Sequence, residues 1–146
     1  MGMGVDCYYG FGFGTNIIDD DKIIEFCKNH KTALKELGED ELIEEIESNE
    51  DFDFEDYEVD ALNGYTSDSA TNIVANIMSI ETGIDFSAEE DTDCLAYILF
   101  EAKEPWSYNE KEKALTSQKL LEIYQGYAEE LGFKYSLEYI CVERVC

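Results

Sequence analysis

"GVDCYYGFGFGTN", Gly4 to Asn16, places three glycines two residues apart among aromatic rings, a spacing that first suggests a phosphate-binding loop. Such loops aim backbone N–H groups at the anion from the start of a helix, and their best-known forms read GxxxxGK[ST] or GxGxxG. Gly10, Gly12 and Gly14 match neither pattern, and the nearest cation, Lys22, stands behind Asp19, Asp20 and Asp21, which would repel a phosphate. A period of two accounts for the stretch better. Val5, Cys7, Tyr9, Phe11 and Phe13 fall on one face and Asp6, Tyr8, Gly10, Gly12 and Gly14 on the other, the pattern of a β-strand with its apolar face on a core. The glycine face lacks side chains and admits another backbone, a helix or a partner at close range.

Outward from this strand, Asp19 or Asp20 caps a helix whose Ile23, Ile24 and Cys27 share a face. His30 falls in its last turn, where a histidine is expected to interact with the terminal carbonyls. Ala33, Leu34 and Leu37 continue helically to Gly38, a stop signal. Asp40 then caps a helix from Glu41 to Ser48, with Leu42, Ile43 and Ile46 inward and Glu41, Glu44, Glu45 and Glu47 outward.

"DFDFEDYEVDA" alternates so that Phe52, Phe54, Tyr57, Val59 and Ala61 share a face, with a one-residue slip near Glu55 and Asp56. The slip predicts a β-bulge or a turn between two short strands. "NGYTSD" reads as a loop, and Ile73, Val74, Ile77 and Met78 form a helical stripe ending near Gly83. Cys94 to Phe100 fits a central strand or a buried helix, with the strand preferred, and Pro105 ends it. Ser107 and Glu110 have capping-box spacing. Leu120, Tyr124, Tyr127 and Leu131 mark the longest helix, closed by Gly132, and Leu137 to Val145 reads as a last strand. The expectation is a single α+β domain over residues 1–146, with a roughly four-stranded antiparallel sheet covered by helices.

The 146 residues carry 35 acids against 10 Lys and Arg, a formal charge of −25. From Glu36 to Ala102 there are 22 Asp or Glu and no Lys, Arg or His, whereas the rest of the chain is close to neutral. Salt adaptation would spread acid over the whole chain, and here the lysines cluster in both flanks. The apolar content, 45% with ten Tyr and eight Phe, argues against intrinsic disorder despite the charge. The five cysteines form no C-x-x-C pair, no run approaches the roughly 18 apolar residues of a membrane span, and Asp6 stands where a myristoylation signal needs Ser or Thr. An unanchored cytoplasmic protein is expected, with no membrane partner.

Conventional catalysis finds little support. His30 is the sole imidazole, so no Ser or Cys nucleophile has a local base beyond it. Cys141 and Cys146 alone are a poor zinc pattern. Asp51-x-Asp53-x-Glu55 opens like a calcium loop, but Asp56 stands where Gly is needed and Leu62 where Glu is needed. No cofactor is expected. The acidic centre is the feature to explain: its 22 charges equal those on roughly 37 Å of duplex DNA. A solvated face without a partner is the plainer reading of such a run.

In size, charge, lack of catalytic residues and the acidic centre around "EDELIEEIESNEDFDFEDYEVD", the chain resembles the small acidic inhibitors that phages encode against nucleic-acid-binding proteins, the DNA-mimicking anti-restriction and anti-CRISPR class. That class shares no common fold. The resemblance implies a non-enzymatic inhibitor whose partner is a basic nucleic-acid-binding protein and which does not bind nucleic acid directly. Under this reading Glu41, Glu44, Glu45, Asp51, Asp53, Glu55, Glu58 and Asp60 replace phosphates, while Phe52, Phe54 and Tyr57 anchor the segment to the core or the partner. The alternatives are a regulatory interaction module working through the glycine-faced strand or the aromatic groups, and a carboxylate-based metal-dependent enzyme.

Overall fold

The computed structural model describes residues 5–15, 18–101, 105–132 and 139–145. Gly4, Asn16, Leu137, Glu138 and Cys146, each part of a reading above, lie outside them. The elements run β1 (Val5–Gly14), α1 (Asp20–Asn29), α2 (Lys31–Glu36), α3 (Asp40–Ser48), β2 (Gly64–Tyr65), α4 (Ser69–Thr82), β3 (Ser87–Glu90), β4 (Ala96–Glu101), α5 (Glu110–Lys113), α6 (Ser117–Leu131) and β5 (Tyr139–Val145). The fold class is α+β.

The sheet differs from the expected four antiparallel strands. Five strands are ordered β2-β3-β4-β1-β5, and β2 pairs parallel with β3 while the other pairs are antiparallel. A parallel pair needs a long crossover, which α4 supplies between β2 and β3. Two residues of β2 and four of β3 are too short to show an alternation, so neither strand is visible as a pattern.

β1 is the strand that its alternation predicts, and β4 settles the ambiguous run as a strand from Ala96. What approaches the glycine face of β1 is β4 itself: a Cβ on Gly10 would land on the carbonyl of Phe100, and one on Gly12 on that of Ile98. Gly10 and Gly12 are therefore buried and closed in by the neighbouring strand, so at these two positions the glycine face is not open to a partner. On the other side Phe13 is buried, its ring edge-on to Tyr124 at 5.8 Å.

The core lies between the sheet and the helices. Phe26, Leu34, Leu42, Ile73, Ile77, Phe86, Ile98 and Tyr124 are all almost fully buried in one cluster, each worth about 1.5–3 kcal/mol for an aliphatic or Phe side chain. Cys27 belongs to it, and burial pushes its thiol up to about 12. Thr116 and Gly132 bound α6, and Asp68 and Gly83 bound α4, with both glycines in the left-handed region.

Three local readings are corrected. Asp40 is the first residue of α3 and not its cap; Glu39 stands at the cap position, and no side chain caps that end. The capping box at α5 is built by Asn109 and Glu112, not Ser107 and Glu110; Glu112 is buried, and besides accepting from Asn109 N–H it accepts from Asp85 N–H at 3.1 Å. His30 ends α1 as expected, but its ring meets the carboxylates of Glu81 and Glu130, not carbonyls.

Candidate acidic interface

The segment "DFDFEDYEVDA" forms no strand. Its alternation survives as burial, with Phe54 and Val59 buried, Phe52, Tyr57 and Ala61 half-buried, and Asp51, Asp53, Glu55, Asp56, Glu58 and Asp60 exposed. The backbone instead makes one 3-10 turn over Phe54–Asp56, initiated by Asp53, whose side chain accepts from Glu55 N–H at 2.9 Å.

Beyond that turn, α4 replaces a neighbouring strand as hydrogen-bonding partner. Asn72 Nδ2 donates to the Val59 carbonyl at 2.8 Å and Asn76 Nδ2 to the Asp60 carbonyl at 2.9 Å. Ser69 Oγ and Asn76 Oδ1 accept from Val59 and Leu62 N–H. The helix thus satisfies the main-chain groups that a sheet would otherwise have to pair, and the acids remain at the surface.

The start of α4 holds the adjoining wall. Asp68 accepts from Ala70 N–H and, at 2.8 Å, from the Thr71 hydroxyl. Thr71 lies 2.7 Å from the Thr15 hydroxyl at the end of β1, which also reaches the Ala96 carbonyl at 3.2 Å. On β3, Glu90 accepts from Ser67 at 2.6 Å.

These walls enclose an open cleft of about 830 Å³. Asp20 from α1, Asp53, Glu55, Asp56, Glu58 and Asp60 from the turn segment, Asp68 ahead of α4 and Glu90 from β3 all line it, with Tyr57 and Tyr65, and no described Lys, Arg or His does. The carboxyl of Asp20 is held above the usual range, first by burial and then by the charges of Asp53, Asp68, Asp21 and Asp19. A neighbouring surface repeats the pattern: burial, then Asp60 and Glu41, raise Glu39, while burial, then Glu39, Glu41 and Glu45, raise the Tyr57 hydroxyl. Carboxylates far apart in sequence therefore act on one another in the fold.

Of the residues singled out by sequence, Asp53, Phe54, Glu55, Tyr57, Glu58 and Asp60 line the cleft. Glu41 and Glu45 bear on Tyr57 from α3. Glu44 and Asp51 are exposed but lie outside the cleft lining. Phe52 packs edge-on to Phe54 at 5.0 Å and lies 5.9 Å from Tyr57, so the aromatic trio anchors the segment to the core. Glu47 leaves the acidic field altogether, because Lys31 on α2 binds it and, with Lys35 and Lys28 adding to the effect, holds its carboxyl below the usual range. Asp20, Asp56, Asp68 and Glu90 are the members that sequence reasoning missed. Asp20 reads as a helix cap and Asp68 as part of a loop, and neither reading brings them to a common cleft.

Among the described residues, no group of three or more His, Cys, Asp or Glu is arranged to hold a metal ion. No described helix is long and apolar enough to cross a membrane. Compared with known proteins, the chain matches no family model, no curated protein and no solved structure.

Proposed function

We propose that the protein is an acidic inhibitor that occupies the basic groove of a nucleic-acid-binding protein, such as a nuclease or a restriction or CRISPR effector, in place of nucleic acid. One observation carries this reading: eight carboxylates from four separate stretches of the chain line one cleft that no described base shares. Gathering like charge in this way costs stability: after burial, the charges of Asp53, Asp68, Asp21 and Asp19 raise the Asp20 carboxyl further. A groove lined with Lys and Arg would relieve that repulsion on binding, and steering would speed the encounter. Inhibition on this reading is occupancy, with no bond made or broken.

The test is competition. The protein should bind a basic nucleic-acid-binding protein, be displaced by duplex DNA, and lose affinity steeply as salt rises, because exposed charges are screened over about 8 Å at physiological ionic strength. It should not bind DNA itself. A complex unaffected by DNA, or by salt between about 50 and 500 mM, would sink the reading.

A second reading, an interaction module using aromatic contacts, draws on Trp106, which is 79% exposed, and Tyr65, which is 58% exposed. Exposed aromatics are enriched at the centres of interfaces. Its signature would be binding that is lost in Trp106→Ala but is indifferent to salt.

A further inference from the structure

His30 is the only histidine of the chain, and it sits at the junction of α1 and α2 with its side chain 15% exposed. Its Nδ1 lies 2.5 Å from Glu81 Oε2 on α4, and its Nε2 lies 2.6 Å from Glu130 Oε1 on α6. The second oxygen of Glu81 accepts from the Tyr127 hydroxyl at 2.7 Å. Tyr127 stays a donor at any physiological pH, since burial first, and then its bond to Glu81 and the charges of Glu81 and Glu130, push its hydroxyl far above the ordinary range. On its own helix the imidazole lies over Phe26, ring centres 4.2 Å apart. The adjacent Lys31 turns away to Glu47 on α3.

The proton inventory of this chain of groups is informative. A neutral imidazole has one N–H and one lone pair, so it can donate to only one carboxylate. With both nitrogens at hydrogen-bonding distance from carboxylate oxygens, the neutral ring would set a lone pair against a negatively charged oxygen. The arrangement is satisfied when the cluster holds one further proton, most simply as an imidazolium donating to both sides, and the face of Phe26 also favours a cation.

We propose that His30, Glu81, Glu130 and Tyr127 form a proton-operated clasp that pins the α1–α2 junction to α4 and α6. With the proton bound, three helical segments are joined through one ring. With it lost, Glu81 and Glu130 face each other across a ring that can serve only one of them, and the α1–α2 junction loosens. The clasp's stabilisation is therefore present while the cluster holds that proton and is lost when the proton leaves. The opposite end of α1 carries Asp20 into the acidic cleft, so loosening this helix reaches one wall of the cleft.

Glu130→Gln provides the decisive comparison. A glutamine amide can either accept from Nε2–H or donate to an unprotonated Nε2, so this variant keeps the contact without needing the extra proton. Hydrogen-exchange protection of α1 and α2 amides and thermal midpoints should be followed from about pH 5.5 to 8.5, the range of histidine titration, in wild type, Glu130→Gln and His30→Gln. In wild type, protection should fall by about tenfold more across that range than in either variant, the scale of one charge-assisted hydrogen bond. Parallel profiles in wild type and Glu130→Gln would overturn the proposal, and that comparison suffices even if His30→Gln does not fold.

Discussion

After burial, Asp53 is the neighbour that most raises the carboxyl of Asp20, although one lies in a turn after α3 and the other at the start of α1. Both line the same cleft. The cost and the proposed use of the acidic surface thus meet in one pair of residues.

The sign of the pH effect follows from that pair. Because the folded state raises the Asp20 carboxyl above its unfolded value, it takes up a proton more readily than the unfolded chain does. This contribution to stability is complete below the ordinary aspartate range and is lost as pH rises through the higher folded value. Asp20→Asn should therefore raise Tm at pH 7, by about 1–3 °C for a domain of this size. The gain should vanish as pH falls to the ordinary aspartate range, near about 4. Thermal unfolding of both proteins at the two pH values checks it, and equal midpoints at pH 7 would refute it.

Neutralising cleft acids that the sequence reading does not assign to the interface tests whether the folded cleft is the binding surface. Asp20→Asn, Asp56→Asn and Glu90→Gln together remove three carboxylates from the cleft lining. At about 0.2–1 kcal/mol for each exposed charge, partner binding should weaken by roughly threefold to hundredfold. Glu129→Gln, outside the lining, should have little effect. Titrations against one partner at fixed salt would show it, and equal losses would mean that net charge alone matters.

Gly12→Val should destabilise the protein even though valine favours strands, because its Cβ would meet the Ile98 carbonyl and the Leu99 side chain. Overpacking of this kind costs about 1–3 kcal/mol or more. Gly126→Ala makes the opposite prediction: a Cβ there meets nothing within 4 Å, and the site is inside α6, so stability should rise by about 0.5–1 kcal/mol. Urea unfolding of the two variants measures both signs.

Asn72→Ala leaves the Val59 carbonyl without its bond from the helix and removes one of the two acceptors of the Thr66 hydroxyl, the Asp68 carbonyl being the other. An unsatisfied buried polar group costs about 1–3 kcal/mol. Beyond that loss of stability, the amides of residues 57–62 should exchange faster than those of α6. Uniform acceleration throughout the chain would show that the asparagine supports the whole fold and not this segment in particular.

The sequence by itself determined the elements whose signals are local. The strand Val5–Gly14, the ends of α4 and α6 at Gly83 and Gly132, and the inward set Phe54, Val59, Leu42 and Ile46 follow from periodicity and from end residues that act within a few positions. The outward set of the acidic segment was legible for the same reason. Which backbone lies against Gly12, that Gly64 and Tyr65 pair in parallel with β3, and that Asn72 and Asn76 replace a strand beside the turn segment depend on pairings between distant parts of the chain. The cleft belongs to the same category, because charges in a fold interact through space and Asp20, Asp68 and Glu90 reach Asp53 only once α1, α4 and β3 have packed. So does His30: its two carboxylates lie 51 and 100 positions away, and a hydrogen bond acts over about 3 Å whatever the length of chain between its partners.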